Sequence, residues 1–227
     1  MVSWSVGLDL GQSQDYTALV AVERVHVLPA GVSLIDYRQR GDVAVTETGE
    51  RWREEFHVRA IRRWPLGTTY TAVVEDVAGM MRREPLATHG QLVVDRSGVG
   101  RAVVDLFTTA HRQRRMGRLR AVPLTITGGV ERGHFTVPKN DLVDGLLVPA
   151  TQGRVRVASG LPLGDALRSE LLAFTQNITA AGRTTYDIER REGQGHGDIA
   201  MALMLALAPR WRGRPEVIEH VHTEVDA

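Results

Sequence analysis

Three aspartates stand where a carboxylate is expensive. Asp9 comes near the end of the apolar run Trp4–Leu10, and Asp95 closes the run Gln91-Leu92-Val93-Val94. Asp198 lies in the first turn of an Ala-, Met- and Leu-rich segment, directly after Gly195-His196-Gly197. A carboxylate among apolar side chains must be hydrogen-bonded, paired or bound to a cation to offset its desolvation. Each has a plain explanation. Asp198 suits a helix N-cap or first turn, Asp95 can cap the turn that follows it, and Asp9 can accept from backbone amides around Gly11. As a set they suggest more, because clustered carboxylates call for positive charge, and a hard divalent cation with oxygen ligands supplies it. Two such ions about 4 Å apart activate water and stabilise a leaving oxygen in phosphodiester hydrolysis. Only a fold can bring the three together.

The elements that would have to position them follow from periodicity. Residues 4–10 alternate and break at Gly11, residues 16–27 form a second, largely apolar strand, and Val32–Arg40 a third, with turns at 11–15 and 29–31. Short connections predict an antiparallel three-stranded meander. Residues 41–56 are polar and read as a loop, and Phe56–Trp64 as a short strand stopped by Pro65. Strand and helix then alternate: a helix over Thr71–Arg83, strand 91–95, a tight turn at Ser97–Gly100, a helix over Arg101–Arg115 and a strand over Arg118–Thr125. Such alternation predicts a parallel sheet covered by helices. Pro138 opens a helix to about residue 152, Arg154–Ala158 is a short strand, and Leu163–Thr175 is amphipathic. Thr184–Glu189 reads as an edge strand and Gly197–Leu207 as an apolar helix. The fold class is α/β: a mixed sheet with a meander followed by parallel strands, flanked by helices. One domain is expected over 1–208, with 209–227 a flexible tail rich in charge and carrying Pro209, Gly213 and Pro215.

Composition excludes several functions. The chain has 227 residues, 43% hydrophobic, and carries 28 basic against 27 acidic residues, a formal net charge of +1. That apolar content and low net charge rule out full disorder, and no apolar run reaches membrane-spanning length. With no cysteine there is no disulfide or thiolate nucleophile, which fits a reducing, cytoplasmic setting. Lys139 is the sole lysine and sits in Val-Pro-Lys-Asn-Asp, so there is no Gly-Lys-Ser/Thr phosphate loop and no motor of that type.

Four stretches, in order, carry a family likeness: Gly7-Leu-Asp-Leu-Gly11 with Asp15-Tyr-Thr-Ala18, Leu92-Val-Val-Asp-Arg-Ser-Gly-Val-Gly100, Val137-Pro-Lys-Asn-Asp-Leu-Val143, and Gly195-His-Gly-Asp-Ile-Ala-Met-Ala-Leu203. Over residues 4–208 the chain resembles the nuclease domain of phage large terminase subunits, within the ribonuclease H-like superfamily. The resemblance implies a ribonuclease H-like sheet and an Mg²⁺- or Mn²⁺-dependent endonuclease that cuts concatemeric viral DNA during genome packaging. It implies two ions, with Asp9 bridging both, Asp95 holding one and Asp198 the other. Asp15 and His196 are auxiliary candidates. One departure is that Gly197 stands where the family often has a second acid. Implied partners are double-stranded DNA, a packaging ATPase (removed from this chain or separately encoded), the portal and the small terminase subunit, with the isolated domain monomeric in the host cytoplasm.

DNA contact needs local positive charge despite the neutral total. Arg112, Arg114 and Arg115, with Arg118 and Arg120, form one cluster after Asp95, and Arg59, Arg62 and Arg63 beside Trp64 form another. Lys139 and Arg96, the latter adjacent to Asp95, complete the candidates. At 5% aromatic residues, base stacking on single strands is not the expected mode. The competing readings are a sugar kinase or actin-like ATPase fragment, on the likeness of Asp9–Ser13 and Asp95–Gly98 to that superfamily's phosphate loops, a Holliday-junction-resolvase-like nuclease, and a non-catalytic adaptor on the same scaffold.

Overall fold

The computed structural model describes residues 4–12, 15–27, 53–117, 119–130, 133, 135–178, 184–188, 197–208 and 216–218. Its main sheet runs β6-β5-β4-β1-β2-β3-β7, with β10 also paired to β2. The strands are β1 (Trp4–Asp9), β2 (Ala18–Val27), β3 (Arg53–Arg63), β4 (Gly90–Asp95), β5 (Ala121–Thr127), β6 (Thr136–Pro138), β7 (Val155–Val157) and β10 (Glu216–Ile218). β2 pairs antiparallel with both β1 and β3, while β4, β5 and β6 run parallel outward from β1. The expected mixed sheet of a meander plus parallel strands is therefore present.

The helices are α1 (Tyr70–Met81), α2 (Leu86–His89), α3 (Gly100–Arg112), α4 (Lys139–Thr151), α5 (Gly164–Leu172) and α6 (Asp198–Ala206). Strand alternation sorts them into two layers. Val6 and Leu8 of β1, with Leu92 and Val94 of β4, face a core built with Val73, Val74 and Val77 of α1 and Val103 and Phe107 of α3. Residues of opposite parity, such as Val93, Ala18 and Val20, face Leu142 and Leu146 of α4 and nearly all of α6. The period of two in the strands and 3.6 in the helices dictates this partition. α6 is buried all round, which explains why it reads as continuously apolar rather than amphipathic.

Several boundaries differ from the spacing-based ones. The third antiparallel strand is Arg53–Arg63, eleven residues long and including residues expected in a loop; the predicted strand Val32–Arg40 lies outside the described residues. β3 begins three residues before the expected strand Phe56–Trp64, because its extra charged residues are paired: Glu54 with Arg24 of β2, and Glu55 with Arg53 and His57. Phe174 and Thr175, expected to end an amphipathic segment, instead begin strand β8 (Phe174–Ile178), which pairs in a separate two-stranded sheet with β9 (Thr184–Ile188). Within the segment expected to be a tail, Glu216–Ile218 lies parallel to Val25–Val27 of β2.

Candidate active site

The first two aspartates are brought together by strand pairing. β1 and β4 are parallel neighbours with Leu8 opposite Val94, so Asp9 and Asp95, each the next residue, end adjacent strands side by side. Adjacent strands lie about 4.8 Å apart. Asp9 shares the parity of Gly7 and Asp95 that of Val93, so both carboxylates belong to the sheet face covered by α6.

Gly7 sets how close that helix comes. A Cβ at Gly7 would stand 1.9 Å from the Ala202 carbonyl oxygen and 2.6 Å from the Ala206 amide nitrogen, so α6 rests on bare backbone of β1. Asp198 is four residues before Ala202, one turn nearer the helix N-terminus, and is 4% exposed. The three aspartates thus converge from two strand ends and one helix start. Gly197 makes the entry to α6 with φ of 85°, a left-handed conformation that glycine adopts without Cβ strain.

The electrostatics follow from this arrangement. Burial holds the Asp9 carboxyl well above the ordinary carboxylate range, and the charges of Asp95, Asp198, Asp15 and Glu170 add to the rise. Asp95 is raised too, by burial, against hydrogen bonds from Ser97. The Ser97 amide donates to Asp95 Oδ1 at 2.7 Å, and the Ser97 hydroxyl oxygen accepts from the Ile126 amide at 3.2 Å, tying the turn after β4 to β5. Asp95 therefore caps its turn as well as facing the site. Behind it, Gly100 allows α3 to start hard against the strand, since a Cβ there would meet the Asp95 carbonyl oxygen at 2.0 Å.

Asp15 belongs to the loop between β1 and β2, where its amide donates to the Gln12 carbonyl at 2.9 Å. Around it, the Tyr70 hydroxyl donates to the Gly11 carbonyl at 2.9 Å and the Gly11 amide donates to Thr17 Oγ1 at 3.1 Å. These bonds hold the loop over the end of β1. Among the described residues, no three acidic or histidine side chains are gathered tightly enough to grip an ion as they stand. The donors are nevertheless all carboxylate oxygens, the chemistry that Mg²⁺ and Mn²⁺ prefer, and the mutual repulsion recorded at Asp9 is what a divalent cation would relieve. His196 lies outside the described residues.

Glu170 is the member of the acidic group that periodicity missed. It is 6% exposed, on α5, and its Oε2 accepts from the Ala200 amide at 2.9 Å in the first turn of α6. Its Oε1 pairs with Arg63. Within its own segment Glu170 looks like an ordinary charged position of an amphipathic helix; nothing local marks it as buried.

The basic residues divide. Arg96 is exposed beside Asp95, and Lys139 begins α4 just after Pro138, which pairs with Thr127 at the same end of the sheet. Arg63 is not a free surface cation: its side chain is 17% exposed, held by Glu170 and stacked over Tyr16 at 5.1 Å. Arg62 is engaged by Asp76 at 2.6 Å and lies over the Trp64 ring at 5.0 Å. The Arg112–Arg115 group sits at the wrong end to flank the acids. α3 starts beside Asp95 and carries these arginines about 20 Å away over its 13 residues. There Arg112, Arg114 and Arg120 line an open cleft of about 1010 Å³ with His111 and Thr108. His111 Nδ1 donates to the Leu119 carbonyl at 2.8 Å, so its Nε2 is the acceptor for Arg120 Nε at 3.1 Å. Arg115 is paired with Glu75 of α1. Arg118 lies outside the described residues.

A sheet in the order β5-β4-β1-β2-β3, with antiparallel pairing from β1 through β3, carboxylates ending β1 and β4, and a third opening a helix packed across them, is a ribonuclease H-like fold. No protein-family model matches the chain, and no curated protein sequence matches it. Solved structures do. The large terminase nuclease from thermophilic phage G20c with bound magnesium is similar with a TM-score of 0.56 at 20% identity, covering 91% of this chain and 80% of that one. The large terminase nuclease domain of Thermus phage P74-26 is similar at 0.54 and 18% identity, covering 95% and 83%. A nuclease-domain mutant of the large terminase subunit of bacterial virus Sf6, with manganese, is similar at 0.56 and 12% identity, covering 90% and 87%. The fold of this chain is that of large terminase nuclease domains.

Proposed function

We propose that this domain is a divalent-metal-dependent nuclease that hydrolyses phosphodiester bonds of double-stranded DNA in viral genome packaging. The observation that carries the reading is the meeting of acids at Asp9: a half-buried strand-end carboxylate held above its ordinary range by desolvation first and then by the charges of Asp95, Asp198, Asp15 and Glu170, in the fold of proteins whose structures hold Mg²⁺ or Mn²⁺. Asp9, Asp95 and Asp198 would hold two ions, which when bound supply a nucleophile from water at neutral pH and charge stabilisation at the leaving oxygen. The chain's own residues do the rest. Gly7 and the Ser97 turn hold the carboxylates in place, and Asp15 adds negative charge beside Asp9. Arg96 and Lys139, at the same end, bind phosphate oxygens and offset the repulsion between DNA and the acids. His196 is an auxiliary proton carrier or orienting group next to Asp198. Arg112 and Arg114, in the cleft at the far end of α3, hold nucleic-acid backbone away from the cutting site rather than over it.

The biological act is endonucleolytic cutting of concatemeric DNA, in company with a packaging ATPase, portal and small terminase subunit, in the host cytoplasm and with the isolated domain a monomer. Residues 1–208 form the catalytic unit, with the segment beyond it accessory. Among the described residues no helix is long and apolar enough to cross a membrane.

Incubation of the protein with supercoiled plasmid and Mn²⁺ or Mg²⁺ tests this. Nicking or linearisation is expected, abolished by EDTA. Asp9→Asn should lower the rate by more than the roughly 10–100-fold that loss of an outer-shell partner costs. Cleavage by Asp9→Asn at the wild-type rate would sink the assignment.

A further inference from the structure

α6 enters the site without a cap of its own. The residue before it, Gly197, has no side chain to accept from the first-turn amides, which otherwise remain orphaned in a buried place. Glu170, from α5, takes that role across 30 residues, with Oε2 accepting from the Ala200 amide at 2.9 Å, one residue after Ile199 in the same turn. Its other oxygen is engaged by Arg63. Arg63 is opposite Ala18 in the β2–β3 ladder, and Ala18 is opposite Asp9 in the β1–β2 ladder, so the arginine is level with Asp9 across three strands. The clamp therefore ties the start of α6 to the sheet at the level of the strand-end carboxylate.

We propose that Glu170 is a positioning residue for the reaction: clamped by Arg63, it fixes the first turn of α6 and with it the place of Asp198 relative to Asp9. With Oε1 on Arg63 and Oε2 on the Ala200 amide, its part in the site is to hold the helix. Gly7 sets the distance of α6 from β1; Glu170 sets the position of its first turn. The proposal rests on the nuclease reading for its consequence in metal binding, but not for the contact itself.

The test uses the whole chain with Glu170→Ala and Glu170→Gln, and Asp198→Asn as a reference. Three quantities are read well below the melting temperature: Mn²⁺ affinity by calorimetry, exchange of the Ile199 and Ala200 amide hydrogens, and plasmid cleavage split into kcat and KM. Glu170→Ala should weaken Mn²⁺ binding roughly 10–100-fold, speed amide exchange at both positions, and lower kcat with KM for DNA unchanged. Glu170→Gln keeps one oxygen to accept from Ala200 or Arg63 but not both, and should fall between; it decides the matter if the alanine variant does not fold. Asp198→Asn should lose Mn²⁺ affinity while keeping slow exchange at Ala200. A folded Glu170 variant with wild-type exchange, or with faster exchange but wild-type Mn²⁺ affinity, would overturn the proposal. If the wild type itself takes up no Mn²⁺, the nuclease reading fails, and wild-type exchange in both Glu170 variants would still overturn the clamp.

Discussion

Two inward-facing carboxylates in this sheet have opposite surroundings. Glu55 on β3 is buried, yet it receives His57 Nε2 at 2.9 Å, with Arg53 at 2.5 Å and Arg156 at 3.6 Å. Burial pushes its pKa upward, but the His57 hydrogen bond and the charges of Arg53 and Arg156 outweigh it, and Glu55 ends below the ordinary range. Asp9 on β1 has only other acids among its charged influences, and ends well above that range. The same residue chemistry is thus compensated at one place and uncompensated at another. Glu55 is balanced by its neighbours within the fold, whereas the charged influences on Asp9 are all acidic, and that contrast is what makes Asp9 the centre of the proposed site.

The contrast can be broken most severely at Gly7. Gly7→Ala places a methyl against the α6 backbone, and because backbone cannot swing aside as a side chain can, the cost should be about 3 kcal/mol or more, with loss of Mn²⁺ binding. Denaturant titration and calorimetry measure both. A variant as stable and as metal-competent as wild type would remove the close approach as the organising feature of the site.

A smaller effect should separate the two carboxylates by sign. Glu55→Gln should destabilise by about 1–2 kcal/mol, since Arg53 and Arg156 are partly solvated. Asp9→Asn should stabilise the metal-free protein at neutral pH. Because the folded-state pKa of Glu55 is depressed, its contribution is present above its ordinary 4.5 and is lost as pH falls through the folded value. For Asp9, raised from 3.8, the folded state holds the proton longer than the unfolded one. Metal-free stability therefore falls as pH rises through that window, and Asp9→Asn should flatten the decline. Melting curves across pH, without and with Mn²⁺, read both slopes; a stabilising Glu55→Gln or a destabilising Asp9→Asn would contradict the comparison.

The smallest effect on folding is expected at the far cleft. Replacing Arg112 and Arg114 together by alanine should change stability by no more than about 0.5 kcal/mol. The same pair should lower DNA affinity and reduce the salt slope by about 2. Anisotropy titrations over a range of salt, in EDTA, measure this. An unchanged slope would show that the cleft does not hold phosphates.

Much of the candidate site is legible in the chain because its parts are local. Asp9 and Asp95 each end a short apolar strand, Gly98 and Gly100 punctuate the following turn, and Asp198 opens a helix too apolar to be exposed. Misreadings arose where neighbours in sequence are not neighbours in space. Arg112–Arg115 come soon after Asp95, but the intervening helix carries them to the opposite end of the sheet. Arg63 looks like surface charge beside Trp64, while its partner Glu170 lies 107 residues away. The first residues of β3, Arg53–Glu55, read as a loop because their charges are neutralised by partners that the local pattern does not show, such as Arg24 of β2 for Glu54.

By itself, then, the sequence determined which residues could do chemistry and which local elements carry them, because period, turn residues and the cost of burying charge act over short stretches of chain. The tertiary structure decided which of those residues share a site. Strand register set Asp9 beside Asp95, the bare backbone of Gly7 admitted α6, and the Arg63–Glu170 clamp capped its first turn. Those are long-range pairings, and no local pattern in a chain encodes the partner of a charge.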